Sequence, residues 1–237
     1  MLELDSMAGR SFLDVGCGSG LFSLAARSLG ARVCSFDFDP QSVACANELR
    51  RRYFPSDPQW SVAEGSILDE DFVVGLGKYD FVYAWGVLHH TGDMWSALRN
   101  AAKPVSPGGV LFVAIYNDQN ILSTFWHRVK KIYCTGRLGR YSVLAVFIPW
   151  FFMRTLAVGV VKFKNPIRPF TNYSEKRGMS IFNDWLDWLG GYPFEVAKPE
   201  QIWRYYRDLR FDLVNFVSTN RLGCNQYVFQ KRAEHAC

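Results

Sequence analysis

Over the first 116 residues short apolar runs alternate with stretches of helical spacing, the pattern of βαβ units feeding a largely parallel sheet. Strands are predicted over Ser11 to Val15, Arg32 to Phe36, Trp60 to Ala63, Tyr79 to Ala84 and Val110 to Ile115. Helices are predicted over Leu21 to Leu29, stopped by Gly30, over Pro40 to Arg52, with proline in the first turn, and over Asp93 to Ala102. Ser106-Pro-Gly-Gly109 reads as the turn into the fifth strand. After Asn117 the alternation lapses, then resumes with a helix over Pro199 to Leu209 and strands over Asp212 to Ser218 and Asn225 to Gln230. Unstructured loops of such length are rare in compact domains, so the gap predicts a helical insertion after strand 5, residues 118–195, inside a single α/β domain spanning 1–237.

Charge changes this picture in one place. The net charge is +5, but between Ile121 and Arg177 eleven basic residues face the single acid Glu175, so that stretch carries +10 and the remainder −5. Within it Val143 to Val161 is apolar all round, interrupted by Pro149 and Arg154 and flanked by Arg137, Arg140, Lys162 and Lys164. Three readings stand: a buried or pocket-lining helix pair, an amphipathic contact with an anionic membrane through 137–168, or a membrane span. The six cysteines show no C-x-x-C pair and no His partner at ligand spacing, so neither a metal site nor a disulfide framework is indicated. With an acidic N-terminus lacking an apolar run, a reducing, cytoplasmic setting is expected.

The chemistry concentrates in Phe12-Leu-Asp14-Val-Gly16-Cys17-Gly18-Ser-Gly20, a buried strand that runs into a glycine-rich turn and then a helix. Such glycines let the backbone turn sharply and approach a ligand, and the helix N-terminus offers N–H groups to an anion. The third glycine falls one residue early for the dinucleotide pattern G-x-G-x-x-G, with Leu21 in its place, which argues against NAD.

This turn resembles motif I of the class I S-adenosylmethionine-dependent methyltransferases, and four further elements follow in that family's order over about half the chain. They are Phe36-Asp37-Phe38-Asp-Pro40, Glu64-Gly-Ser66-Ile67, Ala84-Trp85-Gly-Val-Leu-His89-His90-Thr91 and Ser106-Pro-Gly-Gly-Val110. The last two are most similar to the ubiquinone-biosynthesis type of small-molecule methyltransferase, and the stretch from Gly178 to Pro199 looks like a bacterial subgroup of unspecified acceptor.

The resemblance implies a doubly wound, mostly parallel, seven-stranded Rossmann-like sheet and S-adenosyl-L-methionine as cofactor, with S-adenosyl-L-homocysteine as product. The cofactor site it implies comprises Asp14, Gly16, Cys17, Gly18, Gly20, Asp37, Phe38, Ser66, Ile67 and Trp85. Asp37 stands where the family's acid takes the ribose hydroxyls, and Ser66 replaces the usual Asp of the adenine contact. The family carries one or two helices before its first strand where ten residues stand here, so cover for the cofactor falls to the insertion unless the chain is a truncated form.

For methyl transfer the expectations are a small, aromatic or lipid-like acceptor, O-methylation and no metal. His89, His90 and Tyr116 are the candidate catalytic side chains, with Asn117, Asp118 and His127 behind them. Two other functions remain open, a cofactor-binding module without turnover and an RNA methyltransferase. The basic insertion is the argument for RNA; the lack of an N-P-P-Y type motif and of a nucleic-acid-binding module is the argument against it.

Overall fold

The computed structural model describes residues 5–163, 165, 167–171, 173 and 180–233. Lys164, Glu175, Lys176, Arg177 and the first residues of the subgroup-like stretch, Gly178 and Met179, lie outside them. The chain divides into two compact units, one of Met1–Gln119 with Glu195–Cys237 and one of Asn120–Phe194.

Among the described residues the first unit holds seven strands: β1 (Ser11–Val15), β2 (Arg32–Asp37), β3 (Trp60–Glu64), β4 (Tyr79–Trp85), β5 (Val105–Tyr116), β6 (Phe211–Val217) and β7 (Cys224–Lys231). They form one sheet in the order β3-β2-β1-β4-β5-β7-β6. Strands β1 to β5 pair in parallel, and β7 runs antiparallel between β5 and β6. The doubly wound α/β class expected from the sequence is therefore the observed one. Strand order reverses between β1 and β4, and in open α/β sheets the crevice at such a reversal takes the ligand.

Successive residues of the central strands feed opposite faces. Leu13, Val15, Val82 and Leu111 join one apolar core with Leu98, Ala101 and Tyr206, whereas Phe12, Val33, Tyr83 and Phe112 join another with Ala26. That two-sided burial explains why all five residues of β1 are buried rather than every second one. The covering helices are α1 (Leu21–Ser28), α2 (Pro40–Tyr53), α3 (Glu70–Gly75) and α4 (Met94–Ala102). The returning helix Pro199–Asp208 lends Tyr206, whose buried hydroxyl donates to Leu98 O at 3.1 Å.

Two local expectations need correction. Helix α3 was not legible: it is six residues long, too short for helical periodicity, and its start is set by Asp69, whose carboxylate accepts from Phe72 N–H. Strand β5 begins at Val105 rather than Val110; Tyr79 pairs with Val105 and Phe81 with Val110, so Ser106-Pro-Gly-Gly109 bulges from the strand and the pairing register with β4 shifts across it.

Among the described residues the second unit comprises helices α5 (Ile121–Cys134), α6 (Arg137–Val161), the single turn α7 (Arg168–Thr171) and α8 (Ile181–Gly190). The remaining helix, Pro199–Asp208, is α9. Aromatic rings form the core of the second unit: Trp126 lies 5.5 Å from Trp188, and Phe151 5.4 Å from Trp185. Lys130 is buried among them, with Nζ donating to Trp188 O and lying 3.9 Å from the Trp188 ring centre; burial pushes its pKa down to about 8. Pro149 removes a hydrogen bond from the ladder of α6 without ending the helix. The buried-helix reading of Val143 to Val161 fails, because only Val143 and Gly159 of this stretch are buried.

Candidate active site

The glycine loop leaves β1 at the strand-order reversal and is held by its own backbone. Gly16 N–H and Cys17 N–H both donate to Phe36 O, at 2.9 and 3.0 Å, and Gly20 N–H donates to Cys17 O at 2.8 Å. Gly16 has a φ of 66°, and a Cβ there would meet Val87 at 2.5 Å, so the loop after β1 rests directly on the loop after β4. Gly18 has a φ of 52° and nothing within 4 Å of its would-be Cβ, which is the open side a ligand can approach. Gly20 packs against Ala46 of α2.

Asp37, at the end of β2, completes the loop. Its two carboxylate oxygens accept from Gly18 N–H at 2.8 Å and Asp39 N–H at 2.9 Å. Two N–H bonds fix the carboxylate's orientation and leave lone pairs for further hydroxyl donors. Phe38, beside it, is 78 % exposed.

Asp14 is buried, and the sequence did not reveal what surrounds it. Ser23 Oγ donates to its carboxylate at 2.5 Å, Ser23 and Ser35 hydroxyls lie 2.7 Å apart, and Trp60 Nε1 donates to Ser35 Oγ at 3.0 Å. The Ser23 backbone N–H, in the first turn of α1, also favours the charged carboxylate. Burial outweighs these bonds and pushes the Asp14 pKa up to about 6. The signal that could have found this network is a pair of serines inside apolar runs, Ser23 in Leu21 to Ala26 and Ser35 in Val33 to Phe36.

Three expected cofactor contacts are qualified. The Cys17 thiol is buried and donates weakly to Gly18 O; burial, followed by the charges of Asp14 and Asp37, pushes its pKa up to about 12, so it stays protonated. The Ile67 side chain belongs to the apolar core, and Ile67 O accepts from Asn100 Nδ2 at 2.8 Å. Ser66 Oγ accepts from Leu68 N–H at 3.2 Å, so its hydroxyl shapes the turn before α3.

At the ends of β4 and β5 the rings gather. Trp85 is 46 % exposed and lies 5.9 Å from Phe22. His89 lies 4.5 Å from His90 and 4.2 Å from Tyr116, with His90 and Tyr116 5.6 Å apart. His89 is fully buried, whereas His90 and Tyr116 are half-buried. Of the two histidines, His90 is the more accessible. Asn117 serves the scaffold, since its amide donates to Thr219 O at 2.8 Å and its Oδ1 accepts from Asn225 Nδ2 at 3.1 Å, tying β5 to the turn before β7. His127 belongs to the second unit, with Nδ1 3.0 Å from Phe194 O. A groove lined by Ser11, Arg32, Gln59, Lys78 and Tyr79 lies by the starts of β1, β2 and β4, the sheet end away from the glycine loop.

Residues 13–111 match the family described as a methyltransferase domain. Ubiquinone biosynthesis O-methyltransferase of Methylobacterium sp. (strain 4-46) is 34% identical over 115 residues, 48% of this chain and 43% of that protein. Its namesake from Xanthomonas oryzae pv. oryzae (strain PXO99A) is 35% identical over 112 residues, 47% of this chain and 45% of the other. The chain thus spans less than half the length of these curated relatives. Among solved structures, an O-methyltransferase family protein from Burkholderia thailandensis superposes with a TM-score of 0.60 at 15% identity, over 98% of this chain and 54% of that one. Magnesium protoporphyrin IX methyltransferase from Synechocystis PCC 6803, solved with bound S-adenosylhomocysteine (SAH), gives 0.56 at 15% identity, over 95% and 75%. Residues 13–111 are thus similar to a methyltransferase domain, and the fold is the one found in these solved methyltransferase structures.

Proposed function

We propose that the protein transfers the methyl group of S-adenosylmethionine to a hydroxyl of a small, ring-bearing or lipid-like acceptor. One observation carries the cofactor part: the Asp37 carboxylate is hydrogen-bonded to Gly18 N–H, so the ribose-binding acid and the open face of the glycine loop form a single preorganised cradle at the strand-order reversal. The residues fit the group. Asp37 has lone pairs for the two ribose hydroxyls, Phe38 and Trp85 offer exposed faces for flat or apolar parts, and Gly18 leaves room for close approach.

When bound, the cofactor supplies a methyl already activated by the positive sulfur. What is left to the protein is alignment and removal of one proton. An acceptor hydroxyl would give its proton to His90, with Tyr116 orienting the ring. The aromatic and basic second unit, residues 120–194, sets acceptor choice, and peripheral contact with an anionic membrane through 137–168 gives a route to lipid-like acceptors. The ubiquinone-type relatives favour a phenolic hydroxyl.

Calorimetric titration with S-adenosylmethionine, S-adenosylhomocysteine and NAD tests this. The first two bind and NAD does not, and Asp37→Ala weakens binding by about 1.5 to 3 kcal/mol, as expected for hydrogen bonds to a charged group. NAD binding without any response to the methyl donor would sink the reading; cofactor binding without transfer to any phenolic acceptor would leave a binding module.

A further inference from the structure

From Val143 to Val161 helix α6 is apolar on nearly all sides, broken by the single charge of Arg154, and such a segment needs apolar surroundings over most of its circumference. Its inner side has them. Phe147 lies 5.3 Å from Trp126, Phe151 5.4 Å from Trp185, and Val143 and Gly159 are buried. The opposite side does not. Leu138, Val146, Met153 and Val160 are 88, 63, 63 and 65 % exposed, and with Pro149 and Phe152 they recur at helical spacing to form one charge-free stripe. Only 11 % of its most apolar window is buried, at a mean hydropathy of 1.9. Contiguous exposed apolar surface on this scale marks an interaction site.

Charge selects the partner. Among the described residues the second unit sets eight basic side chains against two acids, Asp184 and Asp187. Arg137, Arg140, Arg154 and Lys162, all exposed, mark the ends and flank of α6, and Arg128 and Lys131 lie exposed on the neighbouring α5. Two copies meeting on this face would bring like charges together. A spanning position would draw Arg154 and the charged residues of α5 and α8, packed along the inner side, into hydrocarbon.

We infer that α6 lies in the plane of an anionic lipid bilayer, with the stripe from Leu138 to Val160 entering the acyl boundary and the basic flank meeting acidic head groups. This deepens the membrane part of the functional reading, and its test has a readout independent of methyl transfer.

The full chain is floated with vesicles of phosphatidylcholine alone and of phosphatidylcholine with phosphatidylglycerol. Binding is expected to the mixed vesicles, to weaken with salt, and to be stripped by alkaline carbonate. Removing three charges with Arg137→Gln, Arg140→Gln and Lys162→Gln lowers partitioning by on the order of a hundredfold. Leu138→Gln with Met153→Gln abolishes insertion while S-adenosylhomocysteine binding, which reports a folded first unit, persists. Three results would overturn the inference: no binding to either vesicle, salt- and carbonate-resistant binding that reveals a span, or a dimer lost in the double variant without any lipid binding.

Discussion

Asp14 and Asp37 stand at the carboxyl ends of neighbouring strands and are held in opposite ways. Asp37 is half-exposed and fixed by two backbone N–H groups, whereas Asp14 is buried against Ser23, with Ser35 and Trp60 behind it. Both acids were legible from their places in the motifs. The serine and tryptophan support behind Asp14 was not, because a serine in an apolar run has no periodic signature. Burial raises the folded-state pKa of Asp14 to about 6, above its ordinary value of 3.8, so between these pH values the folded chain binds more protons than the unfolded one. Stability from this residue is therefore greatest below the ordinary value and is lost as pH rises towards 6, by up to roughly 3 kcal/mol. Urea unfolding of the wild type and Asp14→Asn across this window should show the wild type losing ground with rising pH. A constant difference from pH 4 to 7 would mean that Asp14 is not desolvated in solution.

At the scale of elements, the five motifs were readable because each sits where a strand ends, and a strand end is announced by an apolar run meeting glycine, acid or proline. What the pattern could not carry was how one loop rests on another. Gly16 shows this: its neighbour in space is Val87, seventy-one residues away in the chain, and a Cβ at Gly16 would lie 2.5 Å from the valine methyls. Gly18, two residues on, has open space instead. Both hold positive φ, so alanine at either carries a conformational cost of about 1 to 2 kcal/mol. Gly16→Ala adds overpacking of about 1 to 3 kcal/mol, which Val87→Ala should partly return. Gly18→Ala adds little to instability and falls instead on cofactor affinity. Thermal unfolding and calorimetry on the two variants separate these effects, and equal losses of stability would contradict the assignment of Gly18 to the ligand side. Helix α3 belongs to the same lesson, since its six residues are fixed by the Asp69 cap and by Phe72 filling the space above Gly65, a contact no periodicity reports.

For the whole molecule, an interval without strand and helix alternation announced the insertion, but not the way its ends are fastened. Asp118 N–H donates to Ala197 O at 3.2 Å and Ala197 N–H donates to Tyr116 O at 3.0 Å, so the chain leaves the first unit and re-enters it at the same point. The bonds of Asn117 to Thr219 and Asn225 hold that point to the sheet without help from the insertion. All seven described strands belong to the unit that excludes Asn120–Phe194. Replacing residues 120–194 by a short Gly/Ser linker therefore asks little of the backbone, because the two ends already meet. The shortened chain is expected to fold, to bind S-adenosylhomocysteine with the affinity of the intact chain, and to lose both vesicle flotation and turnover of whichever acceptor the intact chain methylates. Circular dichroism and calorimetry establish that the first unit is intact before activity is compared. Undiminished turnover of that acceptor would show that acceptor recognition resides in the sheet unit, on His90, Tyr116 and Trp85, and that the basic, aromatic insertion serves only attachment.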